Sequence, residues 1–64
     1  MITTRFGSIV TVKSGNIAID EVDVIREDGR ILHTYISELK ADGGIEEIEE
    51  AIKKANEDNE THRN

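Results

Sequence analysis

Asp28-Gly29 separates two runs rich in β-branched residues, Glu21-Val22-Asp23-Val24-Ile25-Arg26-Glu27 and Arg30-Ile31-Leu32-His33-Thr34-Tyr35-Ile36. Glycine supplies the positive φ that a tight turn needs, so this dipeptide between such runs is a strong hairpin signal. With Asp28 and Gly29 as a two-residue loop, Glu27 faces Arg30, Val22 faces Tyr35 and Val24 faces His33. The Glu27–Arg30 pair would add about 0.2–1 kcal/mol. The centre of the chain is thereby committed to antiparallel sheet.

The flanking sequence extends that sheet. Thr4 to Lys13 alternates, with Phe6, Val10 and Val12 on one face and Ile9 and Thr11 on the other. Phe6, the one phenylalanine, is the first candidate for a core anchor. Ser14-Gly15-Asn16 is turn chemistry, and Ile17-Ala18-Ile19 then reads as a returning strand. The apolar positions are odd at Ile17 and Ile19 but even at Val22 and Val24. A one-residue shift flips every side chain, so a bulge or corner is expected at Asp20-Glu21.

From Arg30 to Ser37 both faces carry apolar side chains, Ile31 and Tyr35 on one, Leu32 and Ile36 on the other. A sheet with one solvated face should alternate cleanly. Ile25, Leu32 and Ile36 are therefore the candidates for self-association. Leu39, in the short segment 37–41, is expected to dip into the core. Asp42-Gly43-Gly44 breaks the chain before a helix running from Ile45 to about Asp58. Its apolar stripe is Ile45, Ile48, Ile52 and Ala55. Acids come first and Lys53 and Lys54 later, the order that the helix dipole favours. The expected architecture is α+β: a three- to four-stranded antiparallel sheet of β-hairpins followed by one C-terminal α-helix packed on one face. Residues 1–55 form a single small domain, and 56–64 a polar tail expected to be disordered.

Sixty-four residues without cysteine allow neither a disulfide framework nor a thiolate zinc site. Ile, Val, Leu and Phe number 17 of 64, enough for a fold. A core this small rarely supplies more than about 3–5 kcal/mol, and the usual remedy is oligomerisation or docking on a partner. A homodimer is the expectation. Fourteen acidic against eight basic residues give a net charge of −6, with no basic cluster for nucleic acid or an anionic membrane. A basic protein is the natural electrostatic partner. No basic region and apolar run resembling a secretory signal opens the sequence, and no apolar stretch is long enough to span a bilayer. A cytoplasmic protein is expected, and the Asn59-Glu60-Thr61 sequon is read as chance.

Candidate chemistry is sparse. His33 has the right intrinsic pKa for acid–base work, but no nucleophile stands at a suggestive spacing, so no catalytic residue is assigned. His62 falls in the tail and carries no signal. Asp20, Glu21 and Asp23 are an acidic knot lacking the glycine of a calcium loop. Gly43-Gly44 precedes a helix whose first turns would repel phosphate. No metal or cofactor is expected. The partner-facing candidates are Glu46, Glu47, Glu49 and Glu50 on the helix, with Asp20, Glu21 and Asp23 as a second patch.

These features point to a small acidic protein-interaction module, an inhibitor, adaptor or regulator rather than an enzyme. One alternative is a small-molecule binder or enzyme formed between subunits, using Arg26, His33 and Tyr35, which share a sheet face in the register above. Another is an acidic mimic of DNA that inhibits a nucleic-acid-binding protein.

Overall fold

The computed structural model describes residues 1–61, with side chains as far as Asn59. The fold is α+β, a five-stranded antiparallel sheet followed by one helix packed on it. The strands are β1 (Ile2–Thr4), β2 (Ile9–Asn16), β3 (Glu21–Arg26), β4 (Ile31–Tyr35) and β5 (Leu39–Ala41), and the helix is α1 (Ile45–Thr61). The sheet order is β4-β3-β2-β1-β5. Four strands thus form a meander, and the last returns to pair with the first. Short 3-10 turns occupy Ile17–Ile19 and Ile36–Glu38.

The expected first strand, Thr4 to Lys13, is broken into a hairpin. Thr4 N donates to Ser8 O at 2.8 Å, Gly7 N donates to Thr4 O at 2.9 Å, and Gly7 has φ 90°. Arg5-Phe6-Gly7 is therefore a three-residue loop, a tight turn followed by a left-handed glycine. Phe6 was in phase with Val10 and Val12, but Gly7 turns the chain before that phase applies. The ring is 85% exposed and is not a core anchor.

The central hairpin has the same loop. Arg26 N donates to Arg30 O at 2.8 Å, Gly29 N to Arg26 O at 2.9 Å, and Gly29 has φ 85°. The turn is where the dipeptide placed it, but the loop is Glu27-Asp28-Gly29, one residue longer than expected. Asp28 Oδ1 holds it by accepting from Arg30 N at 3.0 Å. The extra residue slides the register: Glu21 pairs with Tyr35, Val22 with Thr34, Asp23 with His33, Val24 with Leu32 and Ile25 with Ile31. Glu27 and Arg30 consequently do not face each other.

This register separates the residues expected to form a self-association face. Ile25 lies on the outer face, opposite Thr11 and Ile31. Leu32 shares the inner face with Val24 and packs against the core. Ile36 is in the 3-10 turn after β4, only 3% exposed. The set is corrected accordingly: its members do not share an exposed face.

Ile17-Ala18-Ile19 is a 3-10 turn, not a strand. Asn16 caps it, its Oδ1 accepting from Ala18 N at 3.1 Å. The corner falls at Asp20, whose φ is 59°, where the alternation slips. Ser37 Oγ donates to Asp20 Oδ2 at 2.9 Å and Ile36 N to Asp20 O at 3.0 Å, tying the corner to the end of β4. A separate register shift between Val12 and Ser14 bulges β2.

The buried core is Ile2, Val10, Val22, Val24, Ile36, Leu39, Ile48 and Ile52. It lies between the inner face and α1, which packs chiefly on β2 and β5. Ile48 and Ile52 enter it as the helical stripe implied, Ala55 is half-buried, and Ile45 is 55% exposed at the helix start. Gly44, at φ 77°, turns the chain into α1. The helix passes beyond Asp58, so residues 56–61 of the expected tail are its last turns. Asn56 Oδ1 accepts from Gly15 N at 3.3 Å, and its Nδ2 donates to Gly15 O at 2.9 Å. Residues 62–64, including His62, lie outside the described residues. No helix among the described residues is long and apolar enough to cross a membrane.

Candidate functional site

The first hairpin loop and the edge strand β4 shape a recess. Thr4 begins it. Its backbone closes the Arg5-Phe6-Gly7 loop, while its Oγ1 accepts from Phe6 N and Ser8 N, both at 3.3 Å. Those bonds let a polar side chain that is only 8% exposed sit at the base of a loop whose tip is apolar. Phe6 stands at that tip. The Arg5 guanidinium lies 5.3 Å from the centre of its ring, and Arg5 Nη1 donates to Glu38 Oε2 at 3.1 Å. One side of a trough is therefore an aromatic ring steadied by a cation that is itself held by a carboxylate.

The opposite side is β4. Between them lies about 560 Å³ of mostly apolar space, lined by Thr4, Phe6, Arg26, Leu32, Thr34 and Tyr35 among others. Leu32 and Thr34 are half-buried on the inner face, and Tyr35 is 53% exposed on the rim. Arg26 stands beside the start of β4, and Glu38 follows its end. The Arg26 guanidinium makes no hydrogen bond or ion pair with any described residue, although the chain holds 14 acidic residues.

The alternative ligand set is thus partly reassembled by another route. Arg26 projects from the inner face, in step with Val22 and Val24, whereas His33 and Tyr35 belong to the outer face. They do not share a face, yet all three line the trough because it opens along the rim of β4. Phe6 and Arg5, which supply the other wall, went unread as site residues. The signal was Gly7, a possible left-handed loop residue placed just after them.

On the outer face, His33 Nδ1 is hydrogen-bonded to Asp23 Oδ1. That bond, reinforced by the charges of Asp23 and Glu21, raises the imidazole pKa above its ordinary 6.5. Ser14 pairs with Asp23 from the other side, so the order across the strands is Ser14, Asp23, His33. The carboxylate stands between hydroxyl and imidazole. A nucleophilic triad needs the imidazole in the middle, so this row is not one. Among the described residues, no three His, Asp or Glu side chains converge as a metal site.

The acidic candidates are dispersed. Glu47 faces inward along the chain: its Oε1 accepts from Gly43 N at 2.8 Å and its Oε2 from the Met1 amino group at 2.7 Å. These bonds, the amino group's first, hold its carboxyl below the ordinary value. Asp20 is tied to Ser37, and Asp23 to His33. Glu46 and Glu50 are exposed and Glu49 is half-buried, while Glu21 is half-buried at the start of β3. Of the two expected patches, Glu47, Asp20 and Asp23 are thus engaged in bonds within the fold.

No family model, curated protein or solved structure matches this chain.

Proposed function

We propose that this protein is a small interaction module, an adaptor or inhibitor, that binds a protein partner in the trough between the Arg5-Phe6-Gly7 loop and β4. The observation that carries this reading is Phe6. A chain with one phenylalanine holds it 85% exposed at a loop tip. Large aromatic side chains are the usual anchors of protein interfaces, where they fill a partner's pocket and exclude water. Burying such a ring is worth roughly 1.5–3 kcal/mol, which this fold leaves unused.

The test is comparative capture by the intact protein and by Phe6→Ser. Proteins retained by the first and lost by the second, with the same circular dichroism and melting temperature, support the reading. An identical captured set would retire it.

A second reading is favoured by the size of the recess. A volume of about 560 Å³ falls within the range of small-molecule pockets, and Arg26, His33 and Tyr35 offer polar groups at its rim. A ligand screen read by Tyr35 fluorescence tests it; a tyrosine indifferent to every compound would count against it.

A further inference from the structure

The backbone of β4 carries more information than its side chains. In an antiparallel pair, alternate residues turn their N–H and C=O groups toward the neighbouring strand, and those between turn them away. Two bonds fix this phase in the β3–β4 hairpin. Arg26 N donates to Arg30 O at 2.8 Å at one end, and Ile36 N to Asp20 O at 3.0 Å at the other. Counting inward from both, Leu32 and Thr34 bond to β3. Ile31, His33 and Tyr35 point their backbone groups outward. β4 is the last strand of the sheet on that side, and no described residue pairs with those groups.

Such a row is a template for another strand, and proteins normally blunt it with proline, lysine, a bulge or brevity. The opposite border of this sheet is blunted: β5 is three residues long and carries Lys40. β4 is not. It reads Ile-Leu-His-Thr-Tyr without proline, lysine or any register shift against β3. Five residues give about 17 Å of open strand, and the apolar trough with Phe6 on its far side lies directly alongside.

We propose that the trough receives an extended peptide segment of a partner protein, which adds to β4 as a sixth strand and places a carboxylate against Arg26. The inference rests on the trough being the binding site and specifies how it is used. Strand addition supplies main-chain bonds from Ile31, His33 and Tyr35, and alternate side chains of the guest meet Leu32 and Phe6. Arg26 sets the charge, because it is the guanidinium beside the trough that lacks a carboxylate. A second copy of the chain is a poorer occupant. Two-fold pairing centred on β4 would bring together two chains that each carry a net charge of −6.

The probe is a set of capped hexapeptides of alternating valine and threonine with one central aspartate or one central lysine. Two further aspartate versions carry N-methyl groups on alternate backbone nitrogens, one for each phase. Without peptide, the amides of Ile31, His33 and Tyr35 should exchange with solvent quickly, and those of Leu32 and Thr34 slowly. The aspartate peptide should protect the first three. One methylated phase should weaken binding by about tenfold or more, and the other should leave it nearly intact. Arg26→Glu should reverse the preference between aspartate and lysine peptides.

A peptide that shifts the Phe6 and Tyr35 resonances but tolerates both methylated phases would overturn strand addition and leave the trough as a binding site. Protection of the three amides that rises with protein concentration alone would overturn it in favour of self-pairing. Absence of any shift at millimolar peptide would also overturn it, whereas the trough reading itself stands or falls on capture by Phe6→Ser.

Discussion

Gly15 and His33 show how single residues in this chain are fixed by their neighbours. Gly15 looks like a turn residue in the sequence, yet it lies within β2. A Cβ there would come within 3.0 Å of Glu21 O and 3.2 Å of Ile52 Cγ2. It is glycine because the helix and the next strand close on it, a role of glycine within strands that local sequence does not reveal. Gly15→Ala should therefore destabilise the fold by about 1–3 kcal/mol, measured by urea unfolding; an unchanged midpoint would mean that α1 does not pack this closely. For His33, the sign follows from its partner. The Asp23 hydrogen bond raises the folded-state pKa above 6.5, so the folded protein binds the proton more tightly than the unfolded chain. The resulting stability is fully present below the unfolded value and is lost as pH rises through the raised one. Glu47 has the opposite sign. Its lowered pKa contributes stability above the ordinary carboxyl range, lost as pH falls through the folded value. The melting temperatures of the native protein and His33→Gln should differ more at about pH 5.5 than at about pH 9. A difference that grows with pH would refute the assigned pairing.

At the scale of elements, the central hairpin and the helix were legible and the first hairpin was not. Asp28-Gly29 marks a turn in any context, and Ile48 and Ile52 repeat at helical spacing. The error at the hairpin was one residue, because a two-residue loop and a three-residue loop ending in left-handed glycine use the same dipeptide. That single residue moved His33 from opposite Val24 to opposite Asp23 and divided Ile25 from Leu32. The loop at Arg5-Phe6-Gly7 was hidden by Phe6, whose position matched the alternation of Val10 and Val12. Ile17-Ala18-Ile19 misled for a related reason, since three apolar residues serve a 3-10 turn as well as a strand. Of the candidate site, Arg26, His33 and Tyr35 were legible, while the wall opposite them depended on that unread loop. The last turns of α1 were equally hidden, because Asn56 is polar and its value lies in reaching β2. Its amide bonds both backbone groups of Gly15. Asn56→Ala leaves them half-buried without those partners and should cost about 1–3 kcal/mol. Faster hydrogen exchange at the Gly15 amide should accompany the loss, and an unaltered rate there would show that the latch is not formed in solution.

The molecule as a whole divides its apolar residues between stability and display. Eight side chains form the core, and Ile48 and Ile52 at its centre are 2% and 0% exposed. Outside it stand Phe6 at 85%, Ile31 at 57% and Tyr35 at 53%, all on or beside β4 and the loop facing it. A domain of this length has about 3–5 kcal/mol of stability to draw on, and removal of a buried isoleucine side chain costs about 2–5 kcal/mol. Ile52→Ala should therefore leave a largely unfolded chain at ambient temperature. Phe6→Ala removes a larger side chain from a place with few packing partners and should change the unfolding free energy by no more than about 0.5 kcal/mol. Urea titration followed by helical circular dichroism separates the two. If the exposed ring contributed to folding, both variants would lose stability together. If the ring is held out for a partner, only Ile52→Ala collapses, and Phe6→Ala keeps its fold while losing whatever the trough binds.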